Sequence, residues 1–277
     1  MRTSAVRMMA TGAVIFTFLL LTACGGPSGP QPGTRAYEWA AARDSFAARD
    51  YLKTVEHLEQ LNAADNDYTA RARPWLLMMT SGMSRGYMDL ADNFDAGAHA
   101  NKSNPIDFRR RTNAYRGEAN RLALEFVEVF DKFQKGKDDP VPIAFPFPSG
   151  SAAPVAQLSR VAAGMMPSPA ELEPAEKQAI VRGVLLSSCD AAGAHEDTAK
   201  AEKLLTPGNL TVPRSEFILS MAGTLFDESQ LYSMRKLDDP EKLKIFCNRA
   251  LDALKSVPET KQTKELSTKI SKSLKKT

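Results

Sequence analysis

The side chains with the richest chemistry are few and scattered. Three histidines, His57, His99 and His195, stand far apart on different segments. None falls in an HxxxH or HExxH arrangement, which would turn two imidazoles toward one zinc ion from a single helical face. His57 lies between Glu56 and Glu59, the setting of a solvated helix face. His99 falls in an expected loop, and His195-Glu196-Asp197 places acids where they would meet the positive end of a helix. Cys189 and Cys247 admit two readings, a disulfide in an oxidising compartment or two buried thiols packed as small apolar groups. Their spacing does not decide between these, because disulfide geometry is narrow. No CxxC accompanies them, so no metal is expected. Neither a nucleophile elbow nor a phosphate-cradling glycine loop is expected in this chain. The expectation is a protein without cofactor that is not an enzyme.

Two further groups suit recognition better than catalysis. Arg109-Arg110-Arg111, followed by Arg116 and Arg121, gives one long segment a basic start. It reads as an anion-capturing surface, or as a solvated face pairing with Glu118 and Glu125. Met78, Met79, Met83 and Met88 follow Trp75, and such thioethers either line an adaptable apolar pocket or pack as core. Trp75, Met78, Met83, Tyr87, Arg111 and Tyr115 together form the candidate ligand or partner surface.

The elements that must position these residues are helices. From Arg35 onward the apolar residues recur at helical spacing. Trp39, Ala42 and Phe46 define a first helix, and Leu52, Val55, Leu58 and Leu61 a second from Tyr51 to about Ala63. A third runs from about Tyr68 or Pro74 to Asp95, where the small residues Gly82, Ser84 and Gly86 would let a neighbour approach closely. A loop is expected over 97–104, with Pro105 opening a fourth helix that ends near Gln134. Residues 135–150 differ. Four prolines in the nine residues from Pro140 to Pro148 forbid helix, so this is an extended crossover lying along the helical surface. Helices are expected again at about 151–164, 170–191, 195–205, 213–235 and 239–256, with a basic amphipathic one over 259–276. The fold class is all-α, built of antiparallel helix hairpins stacked as a superhelix or gathered into an irregular bundle.

Two resemblances sharpen this. Ala42, Tyr51, Thr54, Leu58 and Leu61 resemble the tetratricopeptide repeat, in which small residues let two helices meet while an aromatic fills the wedge. Arg49 stands in place of its turn glycine and Asn66 in place of its closing proline, and no clean 34-residue period recurs. A weaker second pair spans 213–258. Residues 76–95, with the core Ser81-Gly82-Met83-Ser84-Arg85-Gly86-Tyr87, and the basic-aromatic helix after them are similar to the T-component lipoproteins of TRAP transporters. That likeness fades after Pro140. It implies a role beside a periplasmic solute-binding protein and a ligand-sized channel near Met78, Met83, Tyr87 and Tyr115.

The N-terminus carries Arg2 and Arg7, then an apolar run ending in Leu21-Thr22-Ala23-Cys24. These are the parts of a secretory signal, and the last four residues resemble the lipobox of bacterial lipoproteins. The resemblance implies that residues 1–23 are removed and that Cys24 is lipidated, anchoring the chain to membrane lipid. Gly25 occupies the place where an inner-membrane retention signal would have Asp, which favours the periplasmic face of the outer membrane. Residues 25–34 are rich in glycine and proline and read as a flexible tether. Residues 35–277 then form a single helical domain.

Charge excludes one function class. The formal net charge of +3 falls to about +1 without Arg2 and Arg7, too near neutral for a nucleic-acid binder. Only the C-terminus is strongly biased, with seven lysines over residues 255–277 against Glu259 and Glu265. That helix is expected to cap the domain, or to contact anionic lipid. The whole implies an anchored helical-repeat module that binds another envelope protein. The alternative, carried by the transporter resemblance, is ligand handling.

Overall fold

The chain folds around its third helix. In the computed structural model the described residues are 29–143, 145–148, 150–151, 155–194 and 197–276. Cys24, the segment before it, the first part of the tether, and His195 with Glu196 lie outside them. Two helices lead in. α1 (Arg35–Ala47) starts where the Thr34 hydroxyl accepts from the Tyr37 N–H, and α2 (Tyr51–Asn62) where Asp50 accepts from the Lys53 N–H. Ala42, Tyr51, Thr54, Leu58 and Leu61 are all buried, as the repeat-like pattern requires. Arg49 adopts φ +61°, so the turn keeps the left-handed conformation for which the repeat uses glycine. Asn66 closes the next turn. Its amide donates to the carbonyls of Leu61 at 2.7 Å and Ala64 at 2.8 Å, and its oxygen accepts from the Tyr68 N–H.

α3 (Thr69–Ala100) is 32 residues long and runs past the expected end at Asp95 into the first half of the expected 97–104 loop, so His99 lies in its last turn, with Nδ1 2.8 Å from the Asp95 carbonyl. α4 (Ile106–Lys135) packs along it, burying a helical stripe of Tyr115, Ala119, Leu122, Phe126, Val129 and Phe133. Beyond the proline crossover, α5 (Ala156–Ala162) and α6 (Pro169–Ala191) also pack on α3. The α3–α6 seam is set by glycine. A Cβ on Gly86 would stand 2.8 Å from the Ala179 carbonyl oxygen, and one on Gly82 or Gly183 would overlap the facing backbone. The small residues of α3 do permit the close approach the sequence suggests.

The crossover is more ordered than an extended connection. β1 (Val141–Ile143) pairs antiparallel with β2 (Leu210–Val212), Val141 facing Val212. Phe145 and Phe147 then plug into rings from two helices. Phe145 meets Trp75 edge-on at 4.5 Å between centroids, and both phenylalanines meet Phe46 at 5.2 Å.

The chain finishes with α7 (Thr198–Leu205), α8 (Arg214–Ser229), α9 (Pro240–Leu254) and α10 (Lys261–Leu274). α8 ends earlier than the expected 235, giving way to a 3-10 turn over Gln230–Tyr232. α10 buries Ile270 and Thr263 and exposes its lysines, as a capping helix does. The fold is all-α. It is an irregular bundle and not a superhelix, because in a solenoid each unit meets only its neighbours, whereas α3 contacts α2, α4, α5, α6 and α8. No helix of the described residues is long and apolar enough to cross a membrane.

Candidate functional site

The candidate surface read from sequence divides in two. Trp75, Met78 and Met83 are fully buried core, so they offer nothing to a partner. Tyr87, Arg111 and Tyr115 do come together. The Tyr115 hydroxyl donates to Glu176, Arg111 lies 3.7 Å from the same carboxylate, and the Tyr87 and Tyr115 rings stack at 6.3 Å. These contacts join α3, α4 and α6, which makes the trio a clasp between helices. The expected channel beside Met78, Met83, Tyr87 and Tyr115 is therefore replaced there by packed side chains. Both remaining cysteines are free and buried. Cys189 is pushed up to about 12 by burial, and the Cys247 thiol donates to Ser229 Oγ at 3.5 Å. The structure holds two inert packed thiols in place of the disulfide alternative.

A cleft of about 760 Å³ opens on another face of α3, between α8, α10 and the end of α6. α8 supplies one wall at helical spacing, Glu216, Leu219, Ser220, Gly223 and Asp227, while Thr263, Leu266 and Lys269 of α10 face it. At its base a recess of about 320 Å³ runs inward to Ser81, Arg85 and Met88 of α3, Ser187 and Asp190 of α6, and Thr224, Asp227 and Glu228 of α8. Arg85, Asp190, Thr224 and Asp227 belong to both, so the two spaces are continuous.

The floor of the recess holds a buried acid. Glu228 is only 3 % exposed, and burial raises its carboxyl to about 8. The hydrogen bonds around it accommodate that protonation state. Ser84 Oγ stands 2.6 Å from Glu228 Oε2 and 3.1 Å from the Ala119 carbonyl oxygen, yet a hydroxyl has one proton to give. With Glu228 neutral, its O–H donates to Ser84, Ser84 donates to Ala119, and both contacts are satisfied. Asp227 is reached by solvent through the cleft, but surrounding protein raises its carboxyl too. Arg85 pairs with Asp190 at 3.2 Å across the recess. Behind them Ser81 and Ser187 meet Oγ to Oγ at 2.6 Å, with Ser81 also 2.7 Å from the Leu77 carbonyl.

Two local choices in α8 run against helix stability. Gly223 sits mid-helix, where glycine costs about 1 kcal/mol relative to alanine. A Cβ there would meet nothing within 4 Å, so no neighbour demands it. Asp227 and Glu228 occupy the last turn of α8, where the helix dipole disfavours negative charge. These were the signals available in the sequence, and periodicity alone passes over them.

Residues 82–86, Gly-Met-Ser-Arg-Gly, have the letters of the GxSxG nucleophile elbow that was not expected in this chain. The elbow needs a strand-turn-helix junction that exposes the serine. Here Ser84 is fully buried inside α3 and the flanking glycines serve the α6 seam, so the letters arise from packing. No family model, no curated protein and no solved structure matches this chain.

Proposed function

We propose that this chain is a lipid-anchored ligand handler of the cell envelope, which holds a small polar solute in the cleft between α8 and α10. One observation carries the reading: a cleft of about 760 Å³ deepens into a recess floored by the buried carboxyl of Glu228. Its size falls in the range of small-molecule sites, and perturbed acids in a concave setting mark functional positions. Gly223 and the Asp227-Glu228 pair are local costs to the fold, as expected where activity sets the residue. Ser81 and Arg85 both belong to the stretch that resembles transporter-associated lipoproteins, so that resemblance points to the same place. Cys24 and its lipobox supply the anchor in this reading, at the periplasmic face of an outer membrane, with a solute-binding protein as the envelope partner. A peptide-gripping repeat receives less support, because the aromatic pocket beside the α1–α2 hairpin is filled by the chain's own Phe145 and Phe147.

Native mass spectrometry of the full chain released from its membrane in mild detergent tests this. The native protein should carry a bound small molecule that Gly223→Leu lacks, since a leucine there projects into the open cleft. Equal loading of the two proteins would remove the cleft from the account.

A further inference from the structure

We infer that the solute taken by this cleft is a small organic cation, an aliphatic ammonium compound seated between Asp227 and Glu228. The inference rests on reading the cleft as a ligand site. Its first support is charge. Asp190, Glu216, Asp227 and Glu265 line the cleft against only Arg85 and Lys269, so acids outnumber bases there four to two. A cleft with an excess of one sign of charge between low-dielectric walls concentrates ions of the opposite sign. The second support is pairing. Arg85 is engaged by Asp190, whereas neither Asp227 nor Glu228 is in a salt bridge among the described residues. A buried carboxyl without a cation stays neutral, and an arriving cation is what makes its ionisation favourable.

The third support is the lining. Thr224, Ser81 and Ser187 place hydroxyl oxygens around the recess, and Met88 offers an apolar thioether beside them. That combination suits an ammonium head on an alkyl stem. A bare metal ion fits poorly, since no group of three or more metal-ligating side chains occurs among the described residues.

Binding then exchanges a proton. The neutral Glu228 carboxyl releases its proton to solvent, the carboxylate pairs with the ammonium, and the Ser84 hydroxyl turns from Ala119 to the new charge. Groups facing this pair are Arg85 from α3, Asp190 from α6, Tyr232 from the 3-10 turn, Glu265 and Lys269 from α10, and Lys236 from the segment before α9. Glu228 and Asp227, whose carboxyls burial raises, set the pH response.

Isothermal titration of the full chain with spermidine and putrescine, beside succinate and glucose, decides the matter. Affinity for the amines should rise at least about tenfold between about pH 6 and about pH 9, with uptake of the released proton by buffer visible in the heat. Glu228→Gln, nearly isosteric, should bind more weakly and lose most of that pH dependence. Binding of succinate or glucose, but of neither amine, in a manner abolished by Gly223→Leu overturns the cation while keeping the cleft. Amine binding that survives Gly223→Leu unchanged overturns the cleft itself. No amine binding at about pH 9 by the folded native chain also overturns the inference.

Discussion

Neighbouring turns of α3 solve opposite problems. Around Trp75, rings from α1, α2 and the proline crossover close on each other, and Phe145 and Phe147 fill what the hairpin leaves open. Two turns on, Ser81, Arg85 and Met88 face a recess whose walls do not meet, and Ser84 meets the Glu228 carboxyl behind it. The first region is built for packing density, and its residues follow the apolar periodicity of a stable bundle. The second accepts a buried acid, a mid-helix glycine and charges set against a helix dipole. A fold that can close one side of a helix so fully has no packing reason to leave the other open, and this contrast is the case for function.

The largest expected effect lies on the closed side. Trp75→Ala removes the ring around which Phe46, Phe145 and Phe147 gather, and should cost about 3–5 kcal/mol in equilibrium unfolding. A cost below about 1 kcal/mol would mean that the aromatic cluster is looser than its packing implies.

On the open side, stability should depend on pH with a definite sign. Glu228 has its folded pKa raised to about 8, above the ordinary 4.5 for the unfolded chain, so the folded state holds the proton more tightly. Its stabilising effect is complete below the unfolded value and is lost as pH rises through the folded one. Glu228→Gln should therefore unfold much like the native protein near the acid end of that window. Near the upper end it should be more stable, by as much as about 4 kcal/mol in the absence of solute. Denaturant titrations at both ends measure this, and identical pH profiles for the two proteins would show that Glu228 is ionised when folded.

What the sequence conveyed follows the same division. The α1–α2 hairpin could be read because Ala42, Tyr51, Leu58 and Leu61 act through local spacing, and the α3–α6 seam was foreshadowed by Gly82 and Gly86. The seam's partner residue, Gly183, is about a hundred positions away, and nothing local ties the two together. The cleft suffers from the same distance. Arg85, Asp190, Asp227 and Lys269 come from four helices, and only the tertiary fold brings them to one space. In sequence the methionines after Trp75 suit a pocket or a core, and burial assigns Trp75, Met78 and Met83 to core. Arg111 and Tyr115 were drawn toward a surface role, but Glu176 of α6 claims both. The crossover was recognised from its prolines, while its aromatic anchors needed Phe46 and Trp75 in place to be understood.

The smallest effect in free energy is the most direct test of the central claim, that α8 keeps Gly223 for the sake of the cleft. Thermal unfolding of the native chain, Gly223→Ala and Gly223→Leu, each with and without spermidine, reads it in one series. Without solute, Gly223→Ala should be more stable than the native protein by up to about 1 kcal/mol, and Gly223→Leu at least as stable as the native protein, because the added Cβ meets open space. Spermidine should raise the unfolding temperature of the native chain and leave Gly223→Leu unmoved. If both substitutions destabilise the chain, or if Gly223→Leu responds to spermidine as the native protein does, the glycine belongs to the packing and the account of the cleft is contradicted.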